Sequence, residues 1–321
     1  MSEYETRFCM EQLLLEIHSE GIREAARLTG DLSSWTRHRN MPLAEILRCT
    51  LGKKGLSTTM ELRHYFQAMG KGAQTVSKQD YLWQRQQLNP AVFKLLNGNY
   101  LKRFYDGQAA IPWHGYLVMA LDGSHAEIPN REENRQVYGE SINKYGKQGA
   151  RTHLSVVYDE FNRFLLDIGM HHYHSSEIED AKAYIGALKA ITRERSVLII
   201  FDRNYESLEF VDFLEQEGIK YLIRLHKGNY EAEKAQMSSA DEEVELVFTR
   251  ARLGHLRAKS PERMRALAQQ QSKRVQILKT KFVNGQEVAF ITNMREGTTA
   301  ENTEAVPEAV GDRANIAHAE K

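Results

Sequence analysis

Two aspartates of the sequence each follow or end a continuous apolar run. Asp122 comes directly after residues 116–121 (YLVMAL), and Asp202 ends residues 197–202 (VLIIFD). Apolar runs of this length are typical of buried strands. Carboxylates at the ends of neighbouring strands offer the hard oxygen ligands that Mg²⁺ prefers, and a pair of ions can stabilise both the attacking and the leaving oxygen of a phosphodiester. The two aspartates therefore indicate divalent-metal chemistry on phosphate esters.

Each aspartate also has an ordinary structural explanation. Asp-Gly-Ser at 122–124 is common turn chemistry, and Asp202 beside Arg203 is compatible with a surface ion pair. Four histidines are weaker candidates, because neighbouring strand residues point to opposite faces and solvated side chains explain them better than a zinc site. They are His125, His171, His172 and His174.

The elements that position the aspartates follow the order β-β-β-α-β-α-β. Five strands are predicted, at residues 116–121, 150–159, 164–172, 197–202 and 219–225. The first three are joined by short connections and are expected to be antiparallel, whereas predicted helices beginning near Ser176 and Ser207 make the later strands parallel, with right-handed crossovers. In such a mixed α/β sheet the fourth strand lies beside the first. Asp122 and Asp202 would then emerge at the same edge.

The first ~112 residues are predicted to be mostly helical. A helix from Lys78, a short turn near Asn89-Pro90 and a second helix form a helix-turn-helix-like pattern. Such a unit can present a helix to DNA. Any small helical bundle gives the same pattern, so both interpretations stay open. The basic residues that would contact DNA are Lys78, Arg85, Lys102 and Arg103.

Composition excludes several classes of protein. Of the 321 residues, 41% are hydrophobic and 27% charged, which is ordinary for a globular chain. No apolar run approaches the ~18 residues of a membrane span, and the polar N-terminus is not a secretory signal. The two cysteines, Cys9 and Cys49, fit a reducing cytoplasm better than a disulfide framework. We therefore expect a cytoplasmic protein of more than one domain, with no membrane segment.

The net charge of zero first argues against a generic polyanion binder, but the charge is unevenly distributed. Residues 31–103 carry 12 basic and 4 acidic side chains, and residues 250–281 carry 10 and 1. Residues 104–249 carry 15 and 25. Chance variation along a long chain is the plain alternative. Two basic blocks around an acidic centre favour phosphate binding on both sides of a metal site.

Several short segments resemble the insertion-sequence transposases of the IS-four type. They are LDGSH at 121–125, EIPN at 127–130, FDRNYES at 201–207 and LIRL at 222–225. The resemblance covers about residues 40–295 and implies a ribonuclease-H-like core with an Asp-Asp-Glu triad. It makes Asp122 the first acid and Asp202 the second, both as ligands of Mg²⁺ with Mn²⁺ as a substitute. It also places Arg203 and Tyr205 beside the DNA end.

The same resemblance implies a domain order and a set of partners. Residues 1–112 would be a helical DNA-binding region, 113–225 the catalytic core, 226–295 a β-rich insertion with a basic segment, and 296–321 a disordered or out-of-frame tail. The partners would be double-stranded DNA, as terminal repeats and as target, and a second copy of the chain in a homodimer on DNA. The DNA-bound protein would be associated with the nucleoid.

The sequence departs from that family at two places. Members usually have glycine where Asn204 stands, a mild change because asparagine tolerates a left-handed conformation. The family's third acid lies in a Tyr-x₂-Arg-x₃-Glu-x₆-Lys motif, which does not follow residues 289–293 here. Glu304 and Glu308 lie in the right region without that spacing. The third acid is therefore unassigned, and we expect a truncated or frame-shifted copy with impaired cleavage.

Three functions remain open from the sequence. The first is an insertion-sequence transposase that binds element ends and performs Mg²⁺-dependent cleavage and strand transfer. The second is a non-catalytic remnant that binds DNA ends, or the intact enzyme, and inhibits transposition. The third is another metal-dependent nuclease on the same fold, with Glu304 or Glu308 as the last ligand.

Overall fold

The computed structural model of the protein describes residues 3–28, 34–36, 41–71, 76–107, 110–281 and 285–294. The chain divides into two compact units, Met1–Ala110 and Ile111–Lys321. No helix within the described ranges is long and apolar enough to cross a membrane.

The first unit is built from helices, which confirms the predicted helical N-terminus. Its helices are α1 (Glu3–Glu16), α2 (Glu20–Ala25), α3 (Leu43–Leu51), α4 (Thr58–Ala68), α5 (Lys78–Gln86) and α6 (Ala91–Asp106). Helices α1 and α2 are separate, because the Ser19 hydroxyl accepts a hydrogen bond from the Ile22 N–H and begins α2. Apolar clusters that include Leu47 and Leu96, and Leu62 and Tyr81, hold the helices together.

The second unit contains a large mixed sheet with helices. Its strands are β1 (Leu117–Glu127), β2 (Glu140–Ile142), β3 (Gln148–Asp159), β4 (Phe164–His172), β5 (Val197–Phe201), β6 (Lys220–Arg224), β7 (Asp241–Val247), β8 (Ser272–Lys281) and β9 (Glu287–Thr292). Its helices are α7 (Glu132–Tyr138), α8 (Glu177–Thr192), α9 (Leu208–Gln216), α10 (Glu231–Gln236), α11 (Leu256–Lys259) and α12 (Pro261–Gln270), with a short 3₁₀ helix at Arg203–Tyr205.

The strand order confirms the ribonuclease-H-like arrangement expected from the sequence. The path β2-β3-β1-β5-β6-β9-β8-β7 runs across the sheet, with β4 paired to β3. Strand β3 is antiparallel to both β1 and β4, whereas β5 and β6 run parallel to β1. The connection from β1 to β3 is not short, since it contains α7 and β2.

The apolar runs of the sequence form the centre of this sheet. All five residues of β5, and residues 117–121 of β1, are buried, as parallel strands covered on both faces should be. On one face, Lys182 of α8 bonds to Glu209 of α9, with 2.8 Å between Nζ and Oε1, so these two helices pack side by side. The opposite face carries an apolar cluster that includes Val118, Leu198 and Phe290.

Strand β1 is longer than the sequence predicted. Its pairing with β3 runs from Met119 opposite Asp159 to Glu127 opposite Arg151. Asp122 therefore lies inside the strand rather than at its end. The antiparallel partner, which is distant in sequence, supplies the backbone hydrogen bonds that continue β1 after its polar residues begin.

The segment of residues 226–295 contributes strands to the same sheet. Strand β9 pairs with the edge of β6, β8 pairs with β9, and β7 pairs with β8. The predicted strands of this segment are present, but they extend the core sheet and are separated by the short helices α10, α11 and α12. Their pairing was not predictable from alternation alone, because alternation does not identify the partner strand.

Candidate active site

Asp122 and Asp202 lie next to each other at one edge of the paired region of β1 and β5. The parallel register runs from Leu117 opposite Val197 to Leu121 opposite Phe201, and each aspartate is the next residue of its chain segment. Asp122 is exposed and Asp202 is half-buried. The adjacency expected from the sequence is present, although Asp122 continues a strand while Asp202 leaves one.

Local hydrogen bonds hold both carboxylates. The Asp122 Oδ1 accepts from the Gly123 N–H at 2.8 Å, and the Asp202 Oδ1 accepts from the Asn204 N–H at 2.8 Å. The second bond caps the short 3₁₀ helix that follows β5. Each carboxylate still has an oxygen available for a further partner, because only one oxygen of each takes part in these bonds.

The surroundings of Asp202 disfavour its charge. Burial raises the pKa of Asp202, and the carboxylates of Asp122 and Glu177 raise it further, against the opposing effects of the Asn204 N–H and the Arg203 guanidinium. Like charges close together are relieved by a bound cation or a proton. The carboxylates of Asp122, Glu177 and Asp202 therefore form an acidic edge of the sheet, and a bound divalent cation would stabilise it.

Glu177 is a third carboxylate at this edge, and the sequence analysis missed it. It is the first residue of α8, where the sequence indicated only the start of a helix near Ser176. A Cβ added to Gly123 would lie 3.3 Å from both Cδ and Oε1 of Glu177, so the Glu177 side chain rests against the backbone next to Asp122. Glu177 is not part of an apolar run or of a known sequence motif. Its position becomes evident only from the way the start of α8 packs against β1.

A buried histidine, His153 of β3, was also missed. Its side chain is 1% exposed, and its Nδ1 lies 3.0 Å from Ser175 Oγ and 3.1 Å from Asp180 Oδ2. Its Nε2 is buried without a hydrogen-bond partner among the described residues. That nitrogen lies 3.9 Å from Glu177 Oε1. His153 thus links the start of α8 to the acidic edge.

The four histidines considered from the sequence have different surroundings. His171 is not a solvated strand end, because its Nδ1 lies 3.2 Å from Asp180 Oδ1 and its Nε2 3.0 Å from the Tyr184 hydroxyl. The remaining three, His125, His172 and His174, are exposed. The His125 ring centroid lies 5.4 Å from that of His153, and His174 lines the same cavity as His125 and Glu177.

Tyr205, which the resemblance places beside the DNA end, is buried in this structure, so its expected DNA contact stays a prediction. It is 0% exposed, and its ring packs at 5.1 Å from Phe201 and 5.8 Å from Phe210, measured between centroids. Burial raises the pKa of Tyr205, with Glu177 the largest contributor among nearby charges. Its hydroxyl has no hydrogen-bond partner within the described ranges. Arg203, by contrast, is exposed.

Beside this edge lies a cleft of about 580 Å³. Arg203 and Asn204 line it together with Arg252 and His255. A second cavity of about 450 Å³ is lined by His125, Glu177 and Asn204 among others. Space for a ligand therefore exists on both sides of the residues that follow Asp202.

The four basic residues predicted to read DNA in the first unit are not equivalent. Lys78 is exposed at the start of α5, and Lys102 is half-buried. The Arg85 guanidinium lies over the Tyr81 ring, 5.7 Å from its centroid. Arg103 bonds to Glu16 of α1, with 2.6 Å between Nη1 and Oε2, and so ties α6 to α1. Arg103 serves helix packing in this structure.

The basic segment of residues 250–281 divides in the same way. Five of its cations have partners inside the unit: Arg252 pairs with Glu233, both Arg263 and Lys273 pair with Asp212, Lys281 pairs with Glu287, and Lys279 donates to the Lys234 carbonyl. The cations that are exposed and have no ion-pair partner among the described residues are Arg250, Arg257, Lys259, Arg265 and Arg274. The fold thus separates the cations that are paired within the unit from those that are exposed, and phosphate binding by this block stays a prediction.

The third acid considered from the sequence cannot be placed. Glu304 and Glu308, and the predicted disordered tail of residues 296–321, lie outside the described residues. Within the part of the chain that is described, no three His, Cys, Asp or Glu side chains already converge as a ready-made metal cage. Any metal site at this edge needs side-chain adjustment when the ion binds.

Two solved transposase structures are similar to this chain at low identity. One is a cryo-EM structure of a piggyBac transposase synaptic complex with hairpin DNA, 12% identical, with a TM-score of 0.44 over 91% of this chain and 62% of that one. The other is the Mos1 transposase paired-end complex with the left transposon end, 12% identical, with a TM-score of 0.25 over 62% of this chain and 64% of that one. The chain thus spans less than two-thirds of the length of either protein.

Sequence comparison gives the family directly. No curated protein sequence matches the chain. Residues 113–305 match the transposase DDE domain family, and this range begins just before β1 and contains Asp122, Glu177 and Asp202. Because the matched range covers more than half of the sequence, this chain belongs to the transposase DDE domain family.

Proposed function

We propose that this chain is an insertion-sequence transposase of the IS-four type that binds the ends of its element and cleaves and joins DNA strands. The observation that carries the proposal is the register of β1 and β5, which leaves Asp122 and Asp202 side by side where the pairing ends. The family match over residues 113–305 supports the proposal that these two carboxylates are the first two acids of a DDE reaction centre. Chemistry on phosphodiesters follows from that role.

The residues present fit a divalent cation, which we propose is Mg²⁺ with Mn²⁺ as a substitute. Asp122 and Asp202 would hold it, because each has a carboxylate oxygen outside its local hydrogen bond and burial raises the pKa of Asp202. A bound divalent cation lowers the pKa of coordinated water and stabilises charge on phosphate oxygens. The chain's own contribution is to fix both carboxylates on adjacent strands and to provide the cleft beside Arg203.

DNA contacts are proposed for the cations that the fold leaves exposed. In the first unit, which we assign to DNA-end binding, these include Lys78. In the second unit they are Arg203, at the cleft, and the exposed cations of the basic segment. Exposed lysines and arginines gain affinity by releasing counterions from DNA. A homodimer on double-stranded DNA of the nucleoid is the assembly expected from the resemblance.

The test is cleavage of a duplex that carries the ends of the encoding element, with Mg²⁺ or Mn²⁺. We expect weak strand cleavage that Asp122→Asn and Asp202→Asn each reduce by at least about 100-fold. Asp167→Asn is the matched control, since Asp167 Oδ1 likewise accepts from the next residue's N–H at 2.8 Å on β4. Cleavage that survives both site variants would contradict the proposal. Salt-dependent end binding without any cleavage would favour the non-catalytic alternative.

A further inference from the structure

Two buried or half-buried acceptor atoms face each other beside Gly123 with no donor between them. His153 Nε2 has no hydrogen-bond partner among the described residues, and Glu177 Oε1 lies 3.9 Å away. A direct N–H···O bond requires about 2.7–3.2 Å, so a proton on the ring does not bridge this gap. An unpartnered nitrogen on a side chain that is 1% exposed is costly.

The neighbours of His153 determine which of its nitrogens carries the proton. Ser175 Oγ donates to Asp180 Oδ2 at 2.8 Å, which uses the serine proton. Both atoms near His153 Nδ1 are therefore acceptors, and Nδ1 must be the protonated nitrogen. In the neutral ring, Nε2 then presents a lone pair toward Glu177. A histidine that donates one N–H to a carboxylate and directs its other nitrogen at an ion is the usual arrangement of a histidine metal ligand.

Gly123 leaves the space between these groups open. A Cβ at this position would lie 2.6 Å from His153 Nε2 and 3.3 Å from Glu177 Oε1, closer than real side chains allow. The same residue donates its N–H to the Asp122 carboxylate. The absence of a side chain at Gly123 thus preserves a small space bordered by His153 and Glu177, immediately next to Asp122.

We infer that Glu177 and His153 Nε2 bind a divalent cation beside Gly123 and that Glu177 thereby supplies the third carboxylate next to Asp122 and Asp202. Metal–ligand distances of about 2.0–2.2 Å allow two ligands of one ion to lie up to about 4.4 Å apart. The observed 3.9 Å between Glu177 Oε1 and His153 Nε2 is within that span. The buried Tyr205 hydroxyl, for which the described part of the chain offers no hydrogen-bond partner, lies near the same carboxylates. The role of third carboxylate rests on the proposed function, whereas the cation site does not.

The ligand set selects among cations. An imidazole nitrogen beside carboxylates suits Mn²⁺ or a later transition metal better than Mg²⁺, which prefers oxygen ligands and retains its waters. We therefore expect Mn²⁺ to bind this position more tightly than Mg²⁺. Removal of Glu177 should weaken binding of both ions, whereas removal of the nitrogen should chiefly reduce the preference for Mn²⁺.

The experiment is titration of the full chain with Mn²⁺, with free Mn²⁺ measured by electron paramagnetic resonance. Glu177→Gln should weaken Mn²⁺ binding by at least about 10-fold. Glu179→Gln is the matched control, because Glu179 is two residues further on the same helix, 67% exposed and directed to Lys182. Equal binding by the Glu177→Gln and Glu179→Gln variants would overturn the inference.

A second readout tests the nitrogen without altering the buried histidine. Electron spin echo modulation of the bound Mn²⁺ should show a directly coordinated ¹⁴N in the wild-type chain and in the His125→Gln and His174→Gln variants, which remove the imidazoles that line the same cavity as Glu177. Gly123→Ala, which retains every ligand and fills the space, should abolish that signal. A spectrum without coordinated ¹⁴N, or one lost in His125→Gln or His174→Gln, would overturn the role of His153.

Failure of this inference and failure of the proposed function are distinguishable. Cleavage by the Asp122→Asn and Asp202→Asn variants reports on the function. Mn²⁺ binding by the Glu177→Gln variant reports on the cation site. If cleavage requires Asp122 and Asp202 but the Glu177→Gln variant binds Mn²⁺ as tightly as the wild type, the proposed function is supported and the inference is wrong. If Glu177 is needed for Mn²⁺ but cleavage does not depend on the aspartates, the cation site stands without that function.

Discussion

The position of Asp202 lowers the stability of the folded protein when its carboxylate is charged and no cation is bound. Its carboxylate is half-buried next to Asp122 and Glu177, and burial is the main reason that its pKa is raised. A folded-state pKa above the unfolded value means that the carboxyl is best accommodated when protonated. The associated stability is present at low pH and is lost as pH rises from the ordinary value of 3.8 through the raised pKa.

Asp202→Asn should therefore raise the thermal stability at neutral pH while it removes cation binding. The amide retains an oxygen for the Asn204 N–H and carries no charge to desolvate. Each kcal/mol gained shifts Tm by roughly 2–4 °C for a unit of this size. Calorimetry with a chelator at pH 7 and pH 3.5 measures the effect. The gain should be present at pH 7 and small at pH 3.5, and a Tm lowered at pH 7 would contradict this account of Asp202.

At the scale of elements, the sequence predicted strands better than their partners. The runs of β1 and β5 are apolar because parallel strands are covered on both faces, and that pattern is readable from the chain alone. The extension of β1 to Glu127 depends on β3, where Arg151 lies opposite Glu127. His153 and Glu177 were missed for the same reason, because the role of a polar residue such as these depends on neighbours that are distant in sequence.

A buried ion cluster joins the basic segment to the core. Asp212 of α9 is 3% exposed, and its carboxylate bonds to Arg263 of α12 at 2.6 Å and to Lys273 of β8 at 2.8 Å. Lys273 also bonds to Glu215 at 2.8 Å. Because both cations serve this cluster, they hold the segment in place and are not available to DNA.

Asp212→Asn should destabilise the second unit by roughly 3 kcal/mol or more, because it leaves two partly buried cations without their shared carboxylate. Urea unfolding measures the loss. Glu217→Gln at the end of the same helix is the control, since Glu217 is 40% exposed and its pair with Lys189 should be worth less than about 1 kcal/mol. Similar losses in the two variants would contradict the importance of burial at Asp212.

The net charge of the whole molecule is zero, but its cations fall into two groups: those paired with acidic residues inside the fold and those exposed to solvent. Arg103, Arg252, Arg263 and Lys273 neutralise acidic groups inside their own units. Lys78 and the exposed cations of the basic segment remain for an external polyanion. The sequence could indicate basic blocks, but only the fold separates the cations that are used internally from those that are exposed.

Lys78→Gln and Arg103→Gln should therefore affect DNA binding differently. Loss of one phosphate contact lowers the slope of log K against log salt by about 0.9. We expect that change for Lys78→Gln, with unaltered stability. For Arg103→Gln we expect an unchanged slope and a less stable first unit, because Glu16 loses its ion pair with α6 and keeps only the hydrogen bond from Asn99. Fluorescence anisotropy at several salt concentrations, together with thermal unfolding, distinguishes the two variants, and the reverse pattern would refute the assignment.

The most direct test of the central claim is the position of the bound metal. Fe²⁺ in place of Mg²⁺, with ascorbate and peroxide, cuts a polypeptide close to the ion, and mass spectrometry locates the cuts. We predict cuts within a few residues of Asp122 and of Asp202, which lie together at the edge of β1 and β5. Excess Mn²⁺ and the Asp122→Asn variant should both suppress them. Cuts that map elsewhere in the chain, or that persist in the Asp122→Asn and Asp202→Asn variants, would contradict a metal centre at this edge.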